Sequence, residues 1–305
     1  MNHDRGGPAY GFHAGELAVQ RDAGVTREAL RLEGMLAPAE LGLGVAAFLG
    51  DQTFAAITGR SRDGRLWTAP LLGQPGFLAV RDAKTLEVRA FPGPTDPLRD
   101  LQPGQDVGLI AVDYSRRRRL RLNGTLSAVG PQALTITADE AYGNCPQYIP
   151  QRTLTLLPDD GTDNPVGARS AADRATVARA DTFFLGTTHP ERGNDASHRG
   201  GPPGFVRADG DTLWWPDYAG NNMFNSLGNL HADSEAALLF LDFTDRTALH
   251  LNGTAALVTV PVGSPGDDGG TGRRIVFTVR KQARTPLAAG SDLLTAYPRN
   301  PPVTD

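Results

Sequence analysis

Two short stretches of the chain bring together side chains suited to a phosphorylated, ring-bearing ligand. Ser197-His198-Arg199-Gly200-Gly201 sets a hydroxyl, an imidazole and a guanidinium beside glycines that let a ligand approach the main chain. Downstream, an Asn- and Gly-rich loop opens at Asp217 and carries Asn221, Asn222, Asn225 and Ser226, neutral donors that complete an anion cradle. Between them lies Trp214-Trp215-Pro216. In a strand, one indole of that pair faces inward as a flat wall and the other faces out. A charge-assisted contact from Arg199 to a phosphate would contribute about 1.5–3 kcal/mol.

Other chemistry finds little support. Asp195 and His198 have no further His or Cys at ligand spacing, so no metal site is expected. The one cysteine, Cys145, lacks a C-x-x-C partner. Gly42-Leu43-Gly44-Val45-Ala46-Ala47 fits the G-x-G-x-x-A spacing, but no strand precedes it, so its glycines are expected to serve close helix packing instead. The segment Asp159–Asp163 resembles a calcium loop only until the missing closing Glu. No residue presents itself as a general acid or base, and the catalytic residues stay unassigned.

The elements that must position these groups are mainly β. Hydrophobic residues make up 40% and charged residues 21%, with 36 Gly and 23 Pro, as expected of many short strands joined by turns. A net charge of −4 argues against a nucleic-acid coat. No apolar run approaches the ~20 residues of a membrane helix, so a cytoplasmic protein with no membrane partner is expected. Residues 12 to 50 read as helices, with Thr26 as an N-cap and Pro38 as the first residue of a third helix reaching Leu49. Strands are expected at Gly204–Arg207, Thr212–Pro216 and Ala236–Phe243. The run Arg116 to Arg119 reads as a solvated hairpin tip.

The chain repeats itself. Asp113 and Asp242, and Asn123 and Asn252, are each 129 positions apart, and residues 107–125 share eight identities in nineteen with 236–254. Pro75-Gly76-Phe77 matches Pro203-Gly204-Phe205 after a one-residue slip. Duplication of a unit that normally dimerises builds the interface inside one chain. The expected layout is a helical arm at 1–37, a first copy at 38–156 with a degenerate site, a linker at 157–170, a second copy at 171–285 with the ligand site, and a fraying tail at 286–305. The first copy has Gly93-Pro94-Thr95-Asp96-Pro97 where the second has its amide loop.

The runs S-H-R-G-G-x-P-G-F-V, P-D-x-x-G-N, L-L-F-x-D-F and L-N-G, with F-H-A-G-E at Phe12–Glu16 and G-N-C-P-Q-Y-I at Gly143–Ile149, resemble the FMN-binding split-barrel proteins related to pyridoxamine 5'-phosphate oxidase, in their tandem subgroup. The resemblance spans roughly residues 12 to 285. It implies two tandem split β-barrels forming an intrachain pseudo-dimer with flanking helices, and FMN as cofactor. It further implies phosphate contacts from Arg199 and from Asn222, Asn225 and Ser226, and cross-copy contacts from Gln147, Tyr148 and Arg152 of the first copy. His198 is then a hydrogen-bonding residue beside the flavin. The chain departs from the family in having no Arg or Lys between Asp217 and Leu230. The expected function is an FMN-dependent oxidoreductase working by hydride exchange with a small-molecule substrate or reduced nicotinamide. A non-catalytic flavin or haem carrier and a relic with an empty pocket are the rivals. Because the chain stops at Asp305 without a reductase module, its electron donor is expected to be free reduced nicotinamide or a separate protein. Association of two chains stays open.

Overall fold

The computed structural model describes residues 10–158 and 171–304; the Asp159–Asp163 segment and most of the expected linker lie outside them. The helical arm comprises α1 (Ala14–Asp22), α2 (Thr26–Leu30), a 3₁₀ turn (Glu33–Leu36) and α3 (Leu43–Gly50). His13 caps α1 through a reciprocal capping box, its ring accepting from the Gly15 N–H while Glu16 accepts from the His13 N–H. Thr26 is the first residue of α2, and Val25 holds the N-cap position. The third helix starts at Leu43, later than Pro38 suggested. The intervening backbone is committed elsewhere: the Ala39 N–H donates to Asp139 and the Leu41 N–H to Ala83. Gly42 and Gly44 face open space and Leu43 is 91% exposed, so these glycines do not mediate close packing.

The first copy forms a seven-stranded antiparallel sheet from β1 (Phe54–Arg60), β2 (Leu66–Leu72), β3 (Leu78–Val80), β4 (Thr85–Val88), β5 (Asp106–Asp113), β6 (Arg118–Val129) and β7 (Leu134–Gly143). Its order is β2-β1-β5-β6-β7-β4-β3. After β8 (Gln151–Leu156) and α4 (Ala171–Arg179), the second copy runs through β9 (Thr182–His189), β10 (Gly193–Gly200), β11 (Arg207–Asp209), β12 (Thr212–Pro216), α5 (Asn225–Ala232), β13 (Glu235–Asp242), β14 (Thr247–Thr259) and β15 (Arg273–Pro286). Its order, β10-β9-β13-β14-β15-β12-β11, is the first order repeated strand for strand. The protein is thus mainly β, and the two sheets are consistent with tandem split barrels.

Each copy has its own apolar core, and a third cluster joins them. Phe54, Ile110 and Val112 of the first copy pack on Phe184, Leu239 and Ala248 of the second, with the Phe54 and Phe184 rings 5.1 Å apart. This is the internal interface that duplication predicts.

Two expectations change, and one strand without an apolar pattern appears. Gly204–Arg207 is a turn, with Gly204 at φ +87°, and the strand begins only at Arg207. The polar run Gly193–Gly200 is a full strand, paired with β9 from Gly193↔His189 to Gly200↔Thr182. The segment expected to fray instead forms β16 (Ala289–Thr295), which pairs with β8 of the first copy and leads to the buried Tyr297.

Candidate functional site

Strand β10 delivers the centre of the site, since its polar side chains are covered on both faces. Across from it runs β6 of the first copy, where the alternation of a strand turns Arg119 and Arg121 to one face while Leu120 and Leu122 enter the core. Arg199, Arg119 and Arg121 thereby converge on one cleft. Its other walls are Gln147 and Tyr148 from the first copy, Trp215, Pro216 and Asp217 from β12 and its end, and Asn221, Asn222 and Phe224 to Leu227. The cleft is partly open to solvent.

Positive charge dominates the interior. Arg121 is paired with Asp195 at 3.1 Å, and Asp217 is paired with Arg273 at 2.9 Å while facing Arg199. Arg119 has no carboxylate partner among the described residues; its Nη1 donates to His198 Nδ1 at 3.0 Å. Burial, with Arg121 and Arg199 nearby, lowers its pKa to about 9. Arg199 is also pushed down by burial, against the pull of Asp217. The Nε atoms of Arg119, Arg121 and Arg199 are all buried without a hydrogen-bond partner. Burial and the surrounding guanidiniums hold His198 well below the usual histidine range, so the ring is neutral. Because a guanidinium only donates, Nδ1 is the acceptor and the proton sits on Nε2, 3.4 Å from Thr182 Oγ1.

The first turn of α5 faces the same space. Phe224 holds the N-cap position with φ +60° and supplies no side-chain cap, leaving the first amides of the helix directed at the cleft. Asn222 also takes a left-handed conformation, φ +63°, as an Asn-rich loop permits. The loop is tied to the first copy: Asn221 Nδ2 donates to Asn144 Oδ1 at 3.0 Å, and the Tyr148 hydroxyl donates to the Ala219 carbonyl at 2.9 Å.

Behind α5, the arm motif Phe12–Glu16 acts as a strut. Asn225 donates to Glu16, and His13 Nε2 lies 3.1 Å from Asn229 Oδ1. Burial raises the Glu16 carboxyl from its usual 4.5 to about 8. The unfolded chain ionises this group at the lower pH, so its contribution to stability is complete below about 4.5 and falls as pH rises towards 8. Glu16→Gln should remove one proton's share of that slope, about 1.4 kcal/mol per pH unit. Melting curves at pH 5 and 7.5 check this; equal slopes in both proteins would contradict it.

The residues singled out by sequence divide into two groups. His198, Arg199, Gly200, Gln147, Tyr148, Trp215, Pro216, Asp217, Asn221, Asn222, Asn225 and Ser226 all line the cleft. Ser197 lies one layer beneath, its hydroxyl donating to the Leu185 carbonyl, 3.1 Å from Ser226 Oγ. Arg152 stands away from the cleft, ion-paired with Asp181 and stacked over Tyr114 and Phe243. The alternation predicted for Trp214 and Trp215 holds: Trp215 is 1% exposed, whereas Trp214 is flanked by Arg207 and Arg274. Arg119 and Arg121 are the residues missed. The same strand alternation, read through the Arg-Leu-Arg-Leu run, would have put both on one side, and Arg119 is no part of a solvated tip. Among the described residues no cluster of His, Cys, Asp and Glu could hold a metal.

The counterpart site in the first copy lacks this chemistry. Sheet registers place β10 opposite β2 at an offset of 128, with Gly201 and Phe205 matching Gly73 and Phe77, and β14 opposite β6 at 129. Leu71 therefore stands for Arg199, Pro70 for His198, Ala248 for Arg119 and His250 for Arg121. Asp96, at the place of Asn225, lies 3.6 Å from His250 and accepts from the Leu98 N–H, so an internal carboxylate occupies that end of the pseudo-site.

Residues 170–262, most of the second copy, match the family model of pyridoxamine 5'-phosphate oxidase. A search of the curated proteins finds no match. Similar solved structures include a conserved hypothetical protein, Rv2991, from Mycobacterium tuberculosis, 16% identical over 43% of this chain and 90% of that one, with a TM-score of 0.31. A Clostridium acetobutylicum protein related to general stress protein 26, of the pyridoxinephosphate oxidase family, is 14% identical over 40% of this chain and 92% of that one, TM-score 0.29. HutZ, the haem storage protein from Vibrio cholerae, is 9% identical over 38% and 92%, TM-score 0.29. No helix among the described residues is long and apolar enough to cross a membrane.

Proposed function

We propose that this pyridoxamine 5'-phosphate oxidase-like split-barrel protein binds one FMN per chain in the cleft between its copies and works as an FMN-dependent oxidoreductase. The observation that carries this reading is the convergence of Arg119, Arg121 and Arg199, each with a buried unpartnered Nε, on the uncapped start of α5. Such a constellation suits a phosphate dianion. Ring binding draws support from groups with matching gaps. The Trp215 indole N–H is buried without an acceptor, and Gln147 Oε1 is buried without a donor; an isoalloxazine presents acceptors and an N–H along one edge.

When bound, FMN supplies hydride exchange with a reduced nicotinamide or another small-molecule substrate. The chain's own residues bind and orient it. Arg199 and the α5 amides hold the phosphate, Trp215, Pro216 and the Tyr148–Tyr218 pair, 5.0 Å between rings, wall the flat part, and neutral His198 fixes Arg119. Asn144 and Tyr148 clasp the loop and narrow the entrance to water.

A haem carrier is the second reading. Haem needs an axial ligand, and the imidazole lining the cleft, His198, has its two ring nitrogens turned to Arg119 and Thr182. That favours flavin. Arg199→Ala should weaken FMN retention about tenfold or more. Equilibrium dialysis of both proteins against FMN measures it, and unchanged affinity would move the phosphate elsewhere.

A further inference from the structure

A second groove adjoins the cleft on the side of the helical arm. It shares Arg119, Asn144, Cys145 and Asn221 with the cleft and runs outward between α3 and the β5–β6 hairpin. Its wall is apolar, with Met35, Val45 and Phe48, and Arg118 lies over the Phe48 ring at 5.2 Å. Arg118 is exposed and has no carboxylate partner among the described residues.

The duplication supplies an internal control. In the second copy the matching junction, between α4 and the β13–β14 hairpin, is sealed by polar contacts. Arg179 pairs with Asp242 at 2.5 Å, and Arg284 joins Asp173 to Thr176 and Thr247. Thr247 is the residue that register places at Arg118. The cations Arg179 and Arg284 of the second junction are tied up in these polar contacts; the first junction is open, apolar and cationic, and it is the one that adjoins the proposed FMN cleft.

We propose that this groove is the docking site of the second substrate, an amphipathic anion whose apolar body lies along Val45 and Phe48, whose acidic head meets Arg118, and whose far end reaches the cleft past Cys145 and Asn221. The inference rests on the flavin reading of the cleft and adds the chemical class of its redox partner. Charge complementarity selects the head group, and the wall shared with the cleft selects a substrate over a protein partner.

Calorimetric titration of the FMN-loaded protein with anilinonaphthalene sulfonate, an aromatic sulfonate, tests the groove. Arg118→Glu should raise its Kd about tenfold or more. Val45→Trp, which fills the wall, should do likewise, whereas Arg62→Glu, a charge reversal at a distant side chain 72% exposed, should leave it unchanged. The proposal is overturned by an unaltered Kd in Arg118→Glu, by equal weakening in Arg62→Glu, by release of FMN as the probe binds, or by no binding to the parent protein. Flavin absorbance of the same samples separates the two readings: a parent protein that fails to load FMN sinks the flavin assignment, while retained FMN with unaltered probe binding sinks the groove alone.

Discussion

Arg121→Ala is expected to melt several degrees below the parent protein and to retain no FMN through desalting. Arg121 and Asp195 are 8% and 3% exposed at their side chains, in contact at 3.1 Å across the seam between the copies. Removing one partner strands the other charge away from water, at a cost of about 3–5 kcal/mol, which in a chain of this size lowers Tm by roughly 2–4 °C per kcal/mol at most. Asn123 and Ser226 also reach Asp195, at 3.4 and 3.1 Å, but neither neutralises it. Stability and binding separate in the double variant Arg121→Met with Asp195→Asn, which removes both charges. That protein should recover most of the lost Tm and still fail to hold FMN. Thermal melts and flavin absorbance read both effects; an Arg121→Ala protein that melts like its parent would contradict the cost of leaving Asp195 without its partner.

Gly200→Ala has the second largest expected effect. A Cβ at this position would stand 1.9 Å from the Tyr148 carbonyl oxygen and 2.9 Å from His198 Cε1. The nearer obstacle is backbone, so it cannot rotate away, and the 144–149 loop must lift from β10. Overpacking of this kind costs about 1–3 kcal/mol. It also loosens the first copy's contribution to the cleft, so FMN affinity should drop at least tenfold. Gly143→Ala is the control: a Cβ there meets nothing within 4 Å and should leave melting and affinity unchanged. Equal behaviour of the two variants would mean that the loop does not rest on Gly200 in solution.

The parts of this molecule that were readable from sequence are those where one physical signal dominates. Apolar alternation and the repeated Leu-x-Leu-Asn-Gly-Thr run gave the duplicated sheets, and the one-residue slip at Pro75-Gly76-Phe77 is the 128-residue offset that the β-hairpins show. The amide loop and Trp215 were legible from side-chain chemistry. Strand β10 was not, because Asn194, Asp195, Ser197 and His198 are buried by partners far off in sequence, and a polar run with distant partners looks like a loop. Arg119 was masked by its neighbours: Arg116 and Arg118 are exposed, and only the pairing of β6 across from β10 separates them from it. The tail strand β16 depends on β8, more than 130 residues earlier, and no local pattern announces such a pairing. Arg152 fits a phosphate as well as a carboxylate by type, and Asp181 claims it in the fold.

The claim on which the account turns is that three arginines from two copies of one fold were gathered around a single phosphorylated ring. Incubating the purified protein with excess FMN, desalting it, and measuring flavin absorbance against protein concentration tests this directly. The account predicts close to one flavin per chain, because Leu71 and Ala248, standing for Arg199 and Arg119, leave the counterpart site without those cations. A ratio near zero, or near two, would contradict it.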